Sequence, residues 1–295
     1  MRILVTGGNG FIGKRLIPLL QERRHDVMCL LRDDAPLPSG AEPIRADLAR
    51  DQHLEAPGAI DAIIHLAQSS RYRDFPVYAD DIFSVNTAST ARLLDLARRA
   101  GAQSFVLAST GSVYAAQGGL CREDQLLTPT DFYAASKLAA EVLLRPYAGL
   151  FRVCALRLFA PYGPGQSGRL IPTLVQRVRS GHPISLDGEV DGLRFAATYV
   201  ADVAAILLAA AEQGWEGVYN IAAPGPTSVR QTAALIGNLV GVEPVFQRTG
   251  QPEPVSLIPD LNRLSLQYDL HLLHSLREGL ALTLRSAAEP QEAQA

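Results

Sequence analysis

The sequence predicts a doubly wound α/β fold: a parallel sheet with helices on both faces, followed by a smaller interleaved lobe. Three observations lead there. Short apolar, partly β-branched runs alternate with helix-period segments through the first half of the chain. A glycine-rich turn stands directly between the first run and the first helical segment. From Phe159 the texture changes, because Ala160-Pro-Tyr-Gly-Pro-Gly-Gln-Ser-Gly168 is a loop by composition.

The strand-length runs are Arg2–Thr6, Asp26–Leu31, Ile60–Ala67, Ser104–Ala108 and Arg152–Leu158. Between them, Ile12, Leu16, Leu19 and Leu20 form one helical stripe, and Leu93, Leu94, Leu96 and Ala97 form another within Val85–Arg99. Strands separated by helices read as βαβ units and hence as a parallel sheet. Beyond Phe159, helices over Ile171–Val178 and Ser228–Val240 and a strand over Val218–Ile221 make up a smaller lobe with late elements returning to the sheet. The expected domains are therefore residues 1–158, binding a dinucleotide, and 159–286, mainly binding substrate. The small, polar stretch Ala287–Ala295 reads as a frayed tail.

With 27 basic and 30 acidic side chains the net charge is -3, and 47% of the residues are hydrophobic. Near-neutral charge without a basic block argues against nucleic acid as a partner. The longest apolar candidate, Val200–Ala211, contains Asp202 and falls short of the roughly 20 residues a membrane span needs. The first apolar run is too short for a secretion signal, which predicts a cytoplasmic protein. Cys29, Cys121 and Cys154 share no metal-binding spacing, so neither a disulfide framework nor a thiolate metal site is expected. His271 and His274 fall at i, i+3 on a predicted helix without a third ligand, so no metal is expected there either. No Gly-x-Ser-x-Gly elbow anchors a hydrolase. These exclusions leave an enzyme acting on a small molecule. Among the basic residues only Lys14 and Lys137 are lysine, so each deserves scrutiny.

Thr6-Gly7-Gly8-Asn9-Gly10-Phe11-Ile12-Gly13 follows the first strand and opens a helix. Glycines at these spacings permit a tight turn, close approach of backbone to a pyrophosphate, and close helix–strand packing, with the helix N-terminus facing the anion. The same stretch nearly forms a nucleoside-triphosphate loop, Gly8-xxxx-Gly13-Lys14, but Arg15 stands where the magnesium-binding hydroxyl belongs. Lys14 is then an ordinary solvated helix residue. At the end of the second strand, Leu31 occupies the place of the carboxylate that recognises an unphosphorylated ribose, and Arg32 follows. That favours NADP(H), since arginine suits a 2′-phosphate, although Asp33 or Asp34 would restore the NAD preference. Asp47-Leu48 would bring a carboxylate near the adenine.

Asp131-Phe132-Tyr133-Ala134-Ala135-Ser136-Lys137 opens another helix and places Tyr133 and Lys137 one turn apart on one face. A phenol has an ordinary pKa of about 10, and bringing it to about 7 takes roughly 4 kcal/mol of preferential stabilisation of the phenolate. A neighbouring ammonium supplies such stabilisation and makes the tyrosine a general acid/base. The strand before it ends Ala108-Ser109-Thr110-Gly111-Ser112-Val113-Tyr114, with hydroxyls where parallel sheets bind ligands. Thr110 or Ser112 would hold a substrate oxygen against Tyr133.

The order of TGGNGFIG at Thr6–Gly13, HLA at His65–Ala67, VN at Val85-Asn86, STGSVY at Ser109–Tyr114, YAASK at Tyr133–Lys137 and YGPGQ at Tyr162–Gln166 resembles the extended short-chain dehydrogenases/reductases, particularly the sugar-nucleotide epimerases and dehydratases. The resemblance runs over about residues 1–240. It implies Tyr133 as acid/base, Lys137 as the lysine that binds cofactor ribose and lowers the tyrosine pKa, and Thr110 as their hydroxyl partner. It further implies an NAD(P) site built from Gly7, Gly10, Phe11, Ile12, Gly13, Leu66, Ala67, Asn86 and Ser109. Arg169, Arg194 and Arg263 fall in segments where the family contacts nucleotide diphosphate. A homodimer joined through helices near Val85–Arg99 and Tyr133–Tyr147 is also implied, with Leu138, Val142 and Leu143 either at that seam or facing the sheet.

Departures from the family narrow the activity. The dehydratases follow the strand-end threonine with an Asp-Glu pair that performs elimination, whereas Gly111 and Ser112 stand here. The family's asparagine before the YGP segment is Ala160. The expected activity is therefore C4 epimerisation of a nucleotide sugar. Reduction of a 4-keto-sugar or of a non-nucleotide ketone is the alternative within the class. A non-catalytic NAD(P) sensor would not need Tyr133, Lys137 and Thr110.

Overall fold

The computed structural model describes residues 1–32, 37–38, 40–55, 58–114, 119–188 and 190–286. Asp33, Asp34 and the tail Ala287–Ala295 lie outside the described residues. Seven strands form the main sheet: β1 (Arg2–Thr6), β2 (Asp26–Leu31), β3 (Glu42–Arg45), β4 (Ala62–His65), β5 (Ser104–Thr110), β6 (Arg152–Leu158) and β7 (Gly217–Ile221). Eight longer helices accompany them: α1 (Gly13–Glu22), α2 (Ala79–Phe83), α3 (Ser89–Ala100), α4 (Phe132–Leu144), α5 (Leu170–Arg179), α6 (Val200–Gln213), α7 (Val229–Val240) and α8 (Leu276–Ser286).

The chain divides into two compact units, one of residues 1–115, 123–158 and 203–220, the other of residues 116–122, 159–202 and 221–295. In the first unit the strand order is β7-β6-β5-β4-β1-β2-β3. The pairings β1·β2, β1·β4, β2·β3, β4·β5 and β5·β6 are all parallel. The chain runs outward from β1 through β2 to β3, then returns to the other side of β1 with β4. That reversal makes the carboxyl ends of β1 and β4 the topological switch point, where open α/β sheets hold ligands. In register, Thr6 stands opposite His65 and His65 opposite Leu107.

The sheet is buried on both faces, so its strands read as continuous apolar runs. One layer packs Leu93, Leu94, Leu96 and Ala97 of α3 and Ala140 and Leu144 of α4 with Leu4, Ile63, Phe105 and Val153. A fully buried leucine of this kind contributes about 2 kcal/mol through transfer from water. On α1 the buried residues are Gly13, Leu16, Ile17 and Leu20, so Ile17 takes the place that the stripe gave to Leu19. The region expected as one helix over Val85–Arg99 starts earlier, at α2, and passes through a π-helical segment, Ser84–Ala88, before α3.

In the second unit, α7 starts with a reciprocal cap, Ser228 accepting from Gln231 N while the Gln231 side chain accepts from Ser228 N. The helix expected around His271 and His274 does not form there. His271 lies in a single 3-10 turn, Leu270–Leu272. His274 precedes α8 and is held by Asp202: its backbone N–H donates to Oδ2 at 2.9 Å, and its ring Nδ1 lies 2.7 Å from Oδ1. A buried carboxylate two chain segments away outweighed local helical periodicity. Among the described residues no helix is long and apolar enough to cross a membrane.

Candidate active site

The glycine turn sits at the switch point, and its glycines are required sterically. Gly7 has φ +72, and a Cβ there would lie 2.9 Å from Ala67 N and 3.0 Å from Ala67 Cα. At Gly13 a Cβ would lie 2.5 Å from Gly7 O, Gly8 Cα and Gly8 O. Gly10 N–H donates to Gly7 O at 3.0 Å and closes the turn. At the glycines no side chain stands between a ligand and the main chain, and the turn leads directly into the first turn of α1. That turn carries no acidic residue, and Ile12 at its N-cap makes no side-chain cap. Both features suit an anion. Phe11 and Ile12 are half-buried beside it, and Lys14 is exposed.

Beneath the turn, Thr6 and His65 couple the ends of β1 and β4. Ala67 N–H donates to Thr6 Oγ1 at 3.1 Å, so the Thr6 hydroxyl proton is directed at His65 Nδ1, 2.7 Å away. The Nε2–H tautomer then reaches Ser89 Oγ at 3.4 Å. Burial, reinforced by the charge of Lys137, pushes the His65 pKa down to about 3, so this ring is a neutral structural link. Leu66 and Ala67 continue from it and are half-buried, with Leu66 N–H bonded to Thr6 O. Asn86 is fully buried: its amide donates to Ser136 Oγ at 2.9 Å and its Oδ1 accepts from Ser69 N–H at 2.9 Å, tying the β4 exit to α4.

Asp131, two residues before Tyr133, caps α4 by accepting from Ala134 N–H at 2.8 Å. The Tyr133 hydroxyl donates to Gln68 Oε1 at 3.1 Å, and its ring packs against Tyr72 at 5.0 Å. One turn on, Lys137 is only 2% exposed, yet its ammonium has no hydrogen-bond acceptor or ion pair among the described residues. Burial lowers its pKa to about 8, against the partial attraction of Glu141. Helix α4 packs on β5 and on the 3-10 turn Gly111–Val113 that follows it. Thr110 ends β5, accepts from Ser112 N–H at 3.2 Å, and donates to Ser112 Oγ at 3.2 Å. Ser112 itself is exposed.

Ser109 is turned inward, and its hydroxyl donates a short hydrogen bond to Glu141 Oε1. Arg157 grips the same carboxylate through Nη2 at 2.7 Å and Nε at 3.1 Å and 3.2 Å. It also donates to the Tyr114 hydroxyl at 2.8 Å, which donates in turn to Asn220 Oδ1 at 2.6 Å. Asn220 N–H is held by Glu123 Oε1 at 2.9 Å. Of this network the sequence pointed to Ser109, as a cofactor contact, and to Tyr114 within the motif; Glu141, Arg157, Asn220 and Gln68 were not singled out. Two signals were available: Glu141 lies four residues after Lys137, and Arg157 is a charge inside an otherwise apolar strand, a position seldom buried without a partner.

The remaining expected residues are spread more widely. Leu31 ends β2 and is buried, and Arg32 after it is exposed. Asp47 is engaged in its own turn, where Oδ1 accepts from Ala49 N–H at 2.9 Å, and Leu48 joins the core. Arg169 precedes α5 and is half-buried; Arg194 and Arg263 are exposed, and all three belong to the second unit. Ala160 adopts φ +33, in the left-handed region that asparagine tolerates far better than alanine. The three cysteines are free and buried, and the described residues include no cluster able to hold a metal.

The model of the NAD dependent epimerase/dehydratase family matches residues 3–222. UDP-glucuronic acid decarboxylase 1 of Arabidopsis thaliana is 28% identical over 95% of this chain and 68% of its own length. The 3β-hydroxysteroid dehydrogenase/Δ5→4-isomerase of Mycobacterium tuberculosis is 30% identical over 86% of this chain and 70% of its own. Among solved structures, MoeE5 in complex with UDP-glucuronic acid and NAD superposes with a TM-score of 0.83 at 29% identity, over 98% of this chain and 99% of that one. With a match over most of its length, the chain belongs to the NAD dependent epimerase/dehydratase family and is an enzyme of the extended short-chain dehydrogenase/reductase type.

Proposed function

We propose that this enzyme epimerises a nucleotide sugar at C4, with residues 1–158 forming the NAD(P)-binding domain and residues 159–286 mainly the substrate lobe. The observation that carries the reading is Lys137: a buried lysine whose ammonium has no acceptor among the described residues, one turn from Tyr133 and on a helix packed against the strand that ends in Thr110. The turn at Gly7, Gly10 and Gly13 suits a dinucleotide pyrophosphate: it leads into the N-terminus of α1, and its tight form needs glycine, since a Cβ at Gly7 or Gly13 would collide with the main chain of Ala67 or of Gly7 and Gly8. NAD(P), when bound, supplies the acceptor and donor of hydride. Tyr133 takes the proton of the sugar hydroxyl and later returns it, exchanging its bond to Gln68 for one to substrate. Lys137 holds the ribose and favours the phenolate, while Thr110 positions the reacting oxygen. Gly111 and Ser112 provide no acid/base pair for elimination, which favours simple oxidation and return. UDP-sugars fit best as substrates because MoeE5 is solved with UDP-glucuronic acid and the plant relative is a UDP-glucuronic acid decarboxylase. Arg169, Arg194 and Arg263 are the candidates for the diphosphate, by the forked geometry of guanidinium.

For the cofactor, Leu31 at the end of β2 offers no carboxylate and the exposed Arg32 favours a 2′-phosphate, so NADP(H) is the proposed preference. MoeE5 is solved with NAD, and comparing the Kd for each cofactor in the wild type and in Arg32→Ala decides between them. The proposed assembly is a homodimer. Val142 is 47% exposed while Leu143 packs on the core, so α4 does present an outward apolar residue. Light scattering that returns a monomer refutes the dimer. A cytoplasmic setting suits three buried thiols.

The decisive experiment is Tyr133→Phe assayed against UDP-hexoses and UDP-uronic acids. Turnover should vanish while cofactor binding survives, and an unchanged rate refutes the reading. Arg32 and the hydroxysteroid dehydrogenase relative support a second reading, reduction of a ketone by NADPH. Cofactor regenerated in each cycle indicates epimerisation; stoichiometric consumption indicates reduction.

A further inference from the structure

Tyr133, Lys137 and Glu141 lie at four-residue intervals along α4, on one stripe of the helix. An i, i+4 pair of opposite charges ordinarily meets, yet Lys137 makes no ion pair with Glu141. The carboxylate is already occupied. Its two oxygens accept three contacts from Arg157 and one from Ser109, and the side chains of Arg157 and Glu141 are only 3% and 5% exposed. Arg157 is anchored in turn by Tyr114 and, through it, by Asn220. The guanidinium is therefore held in one orientation by strand, helix and turn together, and a bidentate fork of this kind is among the stronger charge-assisted arrangements.

We propose that Arg157 is a positioning residue: by taking both oxygens of Glu141 it keeps that carboxylate from pairing with Lys137, so the lysine charge stays available to Tyr133 and to the cofactor. This rests on the reading of Lys137 as the cation that serves Tyr133. The other groups facing Lys137 do not supply the missing counter-charge. His65, from β4, is neutral, and Tyr114 beyond Arg157 is a phenol that burial pushes up to about 12. Among the described residues the anion that acts on Lys137 is thus Glu141, and Arg157 decides how much of it Lys137 feels. Without Arg157, a lysine and a glutamate one turn apart in a dry interior would neutralise one another.

The chain offers a direct readout, because its only lysines are Lys14, which is exposed, and Lys137, which is buried. Lysine labelled with 13C at Cε and 15N at Nζ gives two signals, assigned with Lys14→Arg. In the intact cofactor-free protein Lys137 should titrate well below the ordinary lysine value of about 10.4; titration at or above that value would mean that Glu141 already compensates it and overturns the proposal. Arg157→Met should raise the Lys137 midpoint by about one pH unit and Glu141→Gln should lower it, with Glu141→Gln/Arg157→Met returning near the wild type. The limbs of the kcat/KM profile should move in the same directions. A purely structural role changes rates without moving the midpoint in opposite directions, and that result refutes the proposal. Where a single variant does not fold, the wild-type titration still decides. If the midpoints move as described but Tyr133→Phe or Lys137→Ala keeps turning over, the electrostatic device stands and the reading of its purpose fails.

Discussion

Replacing Lys137 by methionine should stabilise the cofactor-free protein while abolishing turnover. Methionine keeps the unbranched length of the side chain and removes its charge. The magnitude follows from the burial of the ammonium, which drops its pKa from 10.5 to about 8. At 1.36 kcal/mol per pH unit this corresponds to about 3 kcal/mol of folding free energy spent on keeping the charge inside. Below pH 8 both the folded and the unfolded chain hold the proton, so the whole cost is present there. As pH rises through about 8 the folded form releases the proton while the unfolded form keeps it up to about 10.5, and the cost is relieved. Urea unfolding of the cofactor-free proteins at pH 7 should therefore show Lys137→Met more stable than wild type by about 2–3 kcal/mol. The gap should shrink between pH 8 and pH 10. Cofactor must be stripped first, because a ligand bound to the folded form alone would stabilise the wild type by mass action. A variant less stable than wild type at pH 7, or a gap indifferent to pH, refutes the account of Lys137 as an uncompensated buried cation.

Other perturbations test other parts of the site. Gly7→Ala, whose Cβ would meet Ala67 N at 2.9 Å, should force the ends of β1 and β4 apart and raise the cofactor Kd at least about tenfold, roughly 1.4 kcal/mol. Gly101→Ala, also at positive φ but with nothing within 4 Å, should cost about 1 kcal/mol of stability and leave that Kd alone, as cofactor fluorescence titration would show. Ala160→Asn should add about 0.5–1 kcal/mol to stability by relieving φ +33, measurable as a rise in Tm. Lys137→Arg should lose most turnover despite keeping the charge, because a planar guanidinium neither fits a site built for a compact ammonium nor presents its donors in the same directions. Rates near wild type would mean that charge alone suffices.

Much of the first unit was legible because its signals are local. The run Arg2–Thr6, the glycines after it and the helix stripe are contiguous, and each follows from backbone freedom or from burial on both faces of a sheet. Tyr133 and Lys137 were legible for a related reason: four-residue spacing on a helix is a geometric fact wherever the helix goes. The signal failed where distant groups outweighed local periodicity. His274 is not on a helix because Asp202 holds both its backbone and its ring, and the start of α2 was missed because its few apolar positions make no stripe.

By itself, then, the amino-acid sequence determined the alternation of strands and helices, the place of the glycine turn, the tyrosine–lysine face of α4 and the lack of an acid pair after Thr110. Only the tertiary structure decided what surrounds them. It set β1 beside β4, so that Gly7 must lack a side chain against Ala67. It turned Ser109 inward, left Lys137 without an acceptor among the described residues, and paired Glu141 with Arg157. The physical reason is that periodicity and turn chemistry act between neighbours in the chain, whereas the charge a buried lysine feels depends on groups brought beside it from other strands, in a medium too poorly polarisable to screen them.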